Sequence, residues 1–308
     1  MSRAARGGTI LAVCLTALTL SPACVAAQEL EPRAFSALPV GANFAGAAYS
    51  YSWGRVLFDP TVPITDAEAT LNAATLAYGR TFAIGGVQAL ATGSLPYVWG
   101  SFSGKLGEVD STITRCGVGD LRAKLSVNLF GSPALTPQAF ARTPARPVVA
   151  GASLTIAAPT GQYYPEKLIN VGTHRWAFKP EAGISWNWRR KWYAEIYGGV
   201  WFFTANTSFY PGASRREQDP VLSLQGHVSY TFARRSWIAL DGTRYAGGDT
   251  RVDDGPPSAR LDNSRVGAVV AIGITDRQSI KAGYNFGAST RVGQSFRTVT
   301  AAYQVLWF

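Results

Sequence analysis

The sequence predicts an all-β protein: an antiparallel, up-and-down transmembrane β-barrel of about twelve strands, preceded by a cleaved signal peptide. Three observations carry this. Apolar and polar residues alternate with a period of two along most of the chain. The connections between alternating segments switch between tight and long. The first residues have the form of a secretory leader.

The leader comes first. Arg3 and Arg6 precede an apolar run from Ile10 to Leu20, and small residues ending Val25-Ala26-Ala27 follow it. The run is too short to span a bilayer, which takes about 20 residues. Residues 1–27 are therefore predicted to be a signal peptide and 28–308 the barrel, exported to the bacterial outer membrane. Cys24 follows Ala23 as in a lipoprotein leader, but Ser21-Pro22 stands where an apolar residue would be needed. Cleavage removes Cys14 and Cys24 and leaves Cys116, so no internal disulfide can form. The formal charge of +10 falls by two when Arg3 and Arg6 leave. No Lys/Arg cluster accompanies that charge, so nucleic acid is not an expected partner. Lipid headgroups or a cation-lined lumen suit it better.

Strands are predicted at 42–53, 67–82, 87–102, 117–130, 147–159, 177–189, 192–204, 220–233, 237–246, 263–274, 279–290 and 296–308. Asp120 to Leu129 shows why: Asp120, Arg122, Lys124, Ser126 and Asn128 take one face, and Leu121, Ala123, Leu125, Val127 and Leu129 the other. The stretches from Phe178, Val221 and Ser279 repeat the pattern. The connections near 83–86, 189–191, 234–236 and 275–278 are tight. Those near 54–66, 103–116, 160–176, 205–219 and 247–262 are long, the outer-membrane arrangement with tight turns in the periplasm. The Pro-rich stretch 131–146 is a long exception on the tight side, with room for one helical turn. Trp186, Trp188 and Trp192 bracket one tight turn and Phe232 and Trp237 another, as expected of an interfacial aromatic belt. In a soluble sandwich or lipocalin-like barrel, the alternative, the apolar face is a core and aromatics need not gather at strand ends. The last strand alternates through Val299, Ala301, Tyr303, Val305 and Trp307 to Phe308, a pattern suited to recognition by the barrel assembly machinery.

Charges on the polar faces are the candidate functional residues. Arg80, Asp120, Arg122, Lys124, Lys179, Glu181, Glu195 and Lys281 are predicted to line the lumen, with Arg189 and Asp241 on the same faces. They have two readings: a polar passage tuned by charge, or interior ion pairs that plug the barrel. A barrel hydrolase is a further alternative, because His227 shares a strand face with Ser229. Nearly every strand carries Ser or Thr on that face, so a non-enzyme is expected. Two histidines and one mature cysteine make a dedicated transition-metal site unexpected, and no cofactor or catalytic residue is assigned.

Several stretches resemble one family. Leu30-Glu31-Pro32-Arg33-Ala34-Phe35-Ser36, Pro39-Val40-Gly41 and Leu57-Phe58-Asp59-Pro60 are similar to its N-terminal pattern. Ala158-Pro159-Thr160-Gly161-Gln162-Tyr163, Lys167 to Gly172, Arg175-Trp176, Arg216 to Pro220 and Gln225-Gly226-His227 extend the likeness over nearly the whole mature chain. The family is the outer-membrane proteins of the MetA pathway of phenol degradation. The resemblance implies a porin-like channel or transporter that passes small solutes by passive diffusion, with outer-membrane lipid as its surroundings. A barrel with a plugged lumen and a structural or adhesive role is the alternative.

Overall fold

The computed structural model describes residues 31–57, 64–106, 109–189, 191–210, 213–258 and 260–308; the predicted signal peptide lies outside them. Among the described residues, sixteen strands and one short helix follow in chain order. The strands are β1 (Asn43–Leu57), β2 (Ile64–Ile84), β3 (Val87–Leu106), β4 (Val109–Val118), β5 (Leu121–Phe130), β6 (Val148–Ala158), β7 (Ala177–Trp188) and β8 (Trp192–Phe203). Then come β9 (Asn206–Phe209), β10 (Ser214–Gln218), β11 (Val221–Ala233), β12 (Ser236–Gly247), β13 (Thr250–Val252), β14 (Leu261–Gly273), β15 (Gln278–Ser289) and β16 (Gly293–Trp307). The helix α1 (Pro137–Arg142) lies between β5 and β6 and is capped by Thr136.

Every pairing is antiparallel, and the sheet closes through β1–β16 and β2–β3 into a barrel of twelve strands. β4 and β5 share one position. β4 pairs with the far half of β3 up to Tyr97↔Val118, and β5 with its near half from Ser94↔Arg122. Pro96 stands opposite the break. It has no N–H to give, and its carbonyl accepts from Gly119 N at 2.8 Å. One extra residue is thereby inserted, so the strand bulges and its facing changes.

Facing follows the sequence pattern. On β11, Leu222, Leu224 and Val228 are 53%, 47% and 49% exposed, while Ser223, Gln225 and His227 are 0%, 2% and 2% exposed. Leu121, Leu125, Ile184, Ile280 and Tyr284 are likewise outward. This outer apolar band is bounded by aromatics at both ends: Tyr78 with Trp307, and Trp186 with Trp188, at the short-turn end; Tyr51 with Trp53, and Tyr284 with Phe286, at the other. Trp237 departs from expectation. It is buried and turns inward.

The tight turns form as predicted. Gly85 and Gly86 have φ of 55° and 81°, as a two-residue hairpin of the primed type requires. The long connections differ. β1 to β4 run well into the segments predicted as loops near 54–66 and 103–116, so the wall is taller on this side of the barrel. The segments near 205–219 and 247–262 form a separate small sheet, ordered β13-β10-β9.

Candidate functional site: a lumen divided by its own N-terminal segment

Residues 31–42 do not join the wall; they enter the lumen from the short-turn end. Phe35 is 1% exposed, with its ring edge-on to Tyr197 at 5.3 Å. Its seat is made by two glycines paired across β6 and β7, Gly151 and Gly183; a Cβ on either would overlap the Phe35 ring. Polar ties fix the rest. Arg33 has a φ of 67°, and its backbone N–H donates to Glu195 at 2.8 Å. Its guanidinium donates to Ser229 at 3.0 Å and Thr231 at 2.7 Å, and lies over the rings of Tyr193 and Trp237. Ala34 N donates to the Tyr197 hydroxyl at 3.2 Å, and that hydroxyl donates to Glu195 at 2.7 Å. Glu31 pairs with Lys124 at 2.8 Å, and that ammonium holds the Glu31 carboxyl down at about 2, against an ordinary 4.5. Leu38 N donates to Gln88 Oε1 at 2.6 Å, and Thr81 Oγ1 donates to Pro39 O at 2.6 Å.

The long connection between β6 and β7 narrows the other end. Asp120, at the break between β4 and β5, accepts from Gly161 N at 2.9 Å, Thr173 N at 3.0 Å and the Thr173 hydroxyl at 2.6 Å. Val171 then packs on Ala73 and Val98, on the inner faces of β2 and β3. Arg115 Nε donates to Ile169 O at 2.7 Å. The loop thus reaches inward across the lumen.

The predicted lumen residues separate into two groups. Lys179 and Glu181 are buried and paired at 2.7 Å, and Gln225 also donates to Glu181. Glu195 is buried in the Arg33 and Tyr197 ties. His227 shares a 2.6 Å hydrogen bond between its Nδ1 and Asp241, both fully buried. Lys124 and Arg122 lie toward the lumen on β5, half-buried, and Asp120 anchors the loop. Lys281 is exposed, yet its position on β15 is inward, alternating with outward Ile280 and Tyr284. Its ammonium lies 5.9 Å from the centre of the Trp237 ring.

Two predicted positions are corrected. Arg80 shares the outward face of β2 with Leu76 and Tyr78 and is exposed. It sits near the short-turn end, where an outward arginine reaches headgroups with its charge and lays its stem on apolar surface. Arg189 lies in the turn after β7, over Trp188 at 5.0 Å. The Ser–His pair considered for a hydrolase is not formed, because Ser229 accepts from Arg33 and His227 Nδ1 from or to Asp241.

Around β15, β16 and β1 the inner wall has a different character. Lys281, Ala302 and Ala48 form one row across the three strands, and Gly283, Thr300 and Ser50 the next. Apart from Lys281 these are small side chains, all half-buried. Sequence reasoning missed the insert altogether. Its signal was a stretch with Arg33 and Phe35 but no alternation, ahead of the first strand.

A closed antiparallel barrel with an apolar outer band and aromatic borders defines a bacterial outer-membrane β-barrel. The chain belongs to the family described as "Putative MetA-pathway of phenol degradation", whose model matches residues 42–305. Its fold is that of the COG4313 outer membrane channel from Pseudomonas putida F1, at 20% identity and a TM-score of 0.77, over 91% of this chain and 100% of that one. Looser likenesses are the β domain of the Bordetella autotransporter BrkA, at 13% identity and 0.49 over 87% and 100%, and the KdgM porin, at 7% and 0.46 over 85% and 99%. No curated relative matches the chain by sequence.

Proposed function

We propose that the protein is a passive channel for small anionic solutes, which travel along the β15–β16–β1 wall past Lys281. The observation that carries this reading is the division of the lumen. The insert is tied to β2, β3, β5, β8, β11 and β12, while the wall of β15, β16 and β1 carries small side chains and, on Lys281, an exposed ammonium. Buried charges that are paired cannot attract a passing solute, whereas a hydrated one can. Carboxylates and phenolates, the ionised forms of aromatic metabolites that the family description suggests, fit that charge. The channel works without cofactor or catalytic group. The reading places the short turns in the periplasm, the cleaved leader at residues 1–27, and the assembly machinery on the β16 strand ending at Phe308.

The test is the reversal potential of single channels under a salt gradient, for the mature protein and for Lys281→Gln. Anion preference is expected in the parent, weakened by the substitution and by added salt, since the screening length is about 8 Å at physiological ionic strength. Equal selectivity in both proteins would refute the role of Lys281. No conductance, even after the insert is dislodged, would favour a structural barrel with a permanently filled lumen.

A further inference from the structure

The outer face of β15, β16, β1, β2 and β3 is ordered in horizontal rows. Register places Tyr284, Val299, Tyr51, Asn72 and Trp99 side by side. The next row toward the long-loop end is Phe286, Arg297, Trp53, Thr70 and Ser101. Above it come Ser295, Arg55, Glu68 and Ser103. The face therefore changes within two rows from aromatic to guanidinium and hydroxyl.

Height gives this change a meaning. From Asn43, level with Trp307 in the lower aromatic border, to Trp53 is ten residues of β1. At about 3.3 Å per residue that is roughly 33 Å along the strand. Tilted by about 40°, it rises about 25 Å, the thickness of an outer-membrane apolar band. Arg297 and Arg55 thus stand at headgroup level, where the apolar band ends. Both are exposed, and the two lie on adjacent strands, with Arg297 opposite Trp53 and Arg55 two residues further on. A guanidinium beside an aromatic border binds a phosphate oxygen pair by parallel hydrogen bonds while the acyl chain lies on the rings.

We infer that Arg55 and Arg297, with Thr70, Ser101 and Ser103, form a docking site for a phosphorylated glycolipid of the outer leaflet, of the lipid A type. The patch is too high for the hydrocarbon layer and points away from the lumen, so no solute in transit reaches it. Its hydroxyls suit the sugar of such a headgroup. Glu68, opposite Arg55 in register, is the carboxylate on the patch and opposes the phosphate. The inference rests on the proposed orientation, with long loops outward, but not on conduction.

Native mass spectrometry of the full mature protein in detergent tests it, using bisphosphorylated lipid A as the probe. The parent is expected to retain lipid A. The double variant Arg55→Gln/Arg297→Gln is expected to bind it roughly tenfold or more weakly, and Glu68→Gln more tightly. Lipid A stripped of its phosphates should not be retained, and inorganic phosphate should not compete. Equal retention of the dephosphorylated lipid, or unchanged affinity in the double variant, would overturn the site. Equal retention of phosphatidylglycerol would overturn its specificity for the outer leaflet. The shift in gel migration between unheated and heated protein serves as the folding control and is expected to be unaltered. Should the double variant fail to assemble, the direction of the Glu68→Gln effect decides.

Discussion

Replacing Phe35 by Ala should unseat the N-terminal insert and enlarge the channel. The ring is fully enclosed between Tyr197 and the two glycines, so its loss resembles a Phe→Ala change in a core, at about 3–5 kcal/mol. Here the loss falls on the seating equilibrium of residues 31–42 and not on the barrel, whose ladders it does not touch. At about 1.4 kcal/mol per factor of ten, a change of about 3 kcal/mol shifts the ratio of seated to released segment by about a hundredfold. Gly151→Val approaches the same contact from the wall and should expel the ring without altering the segment, at the added cost of crowding the Val127 carbonyl, which a Cβ there would meet at 2.8 Å. Single-channel recording in planar bilayers reads the outcome: larger or more frequent openings in either variant. The double variant should add little to either single change, because both remove one contact. Parental conductance in both single variants would refute the idea that Phe35 in its glycine seat holds the insert.

Epitope tags at Lys191 and at Ser236 should be hidden on intact cells, and tags near Glu166 should be accessible; surface access at Lys191 would reverse the orientation. Leu125→Arg, on the lipid face, should destabilise the barrel by roughly 2–4 kcal/mol in bilayer denaturant titrations. Asn128→Ala should cost about 1 kcal/mol and act on the insert, since Asn128 donates to Phe35 O at 3.3 Å; the opposite ranking would reverse the facing of β5. The Glu31–Lys124 pair sets an acid limit. The Glu31 carboxyl is held at about 2 when seated, against 4.5 when released, so its contribution is complete above about 4.5 and is lost as pH falls toward 2. Conductance should therefore be flat with respect to this pair from neutral pH to about 5 and rise in stronger acid, and Glu31→Gln should abolish that rise.

What could be seen in the sequence was whatever depends on neighbours two residues apart. The lipid face of β5, β7, β11 and β15 follows from alternation alone, because a membrane strand has only two environments to sort its side chains into. Arg80 shows where that logic ends. Near a strand terminus the outward environment becomes headgroups, and an arginine suits headgroups as well as a lumen. Trp237 shows the same ambiguity in reverse: an aromatic beside a tight turn suits the interface, yet this one faces inward under Arg33. The upward extension of β1 to β4 was hidden because loop length was judged as if strands stopped at the membrane surface. The insert was hidden for a simpler reason. Arg33 and Glu195 lie 162 positions apart, and the glycines that seat Phe35 lie on two different strands.

Charge on an inward face is therefore not a measure of what a solute meets. Lys179 and Glu181 are both lumen residues by alternation, but each is 1% exposed and they satisfy one another at 2.7 Å. Removing one partner would leave the other buried and uncompensated, a structural injury that selectivity measurements would misread. Lys124 is nearly as constrained, because it ties Glu31 and lies 3.7 Å from Glu181. Changing Arg122 and Lys124 together would loosen the insert while altering charge, and the two effects would be inseparable in a reversal potential. Lys281 avoids the difficulty. It is exposed, its register neighbours on β16 and β1 are small, its ammonium leans toward Trp237 at 5.9 Å, and no ion pair within 4 Å ties it among the described residues. Its charge also attracts Glu31 of the insert at longer range, so substitution there changes the field of the lumen and slightly weakens the seating of the segment, but it leaves no buried charge uncompensated, which is why selectivity is better read at that position.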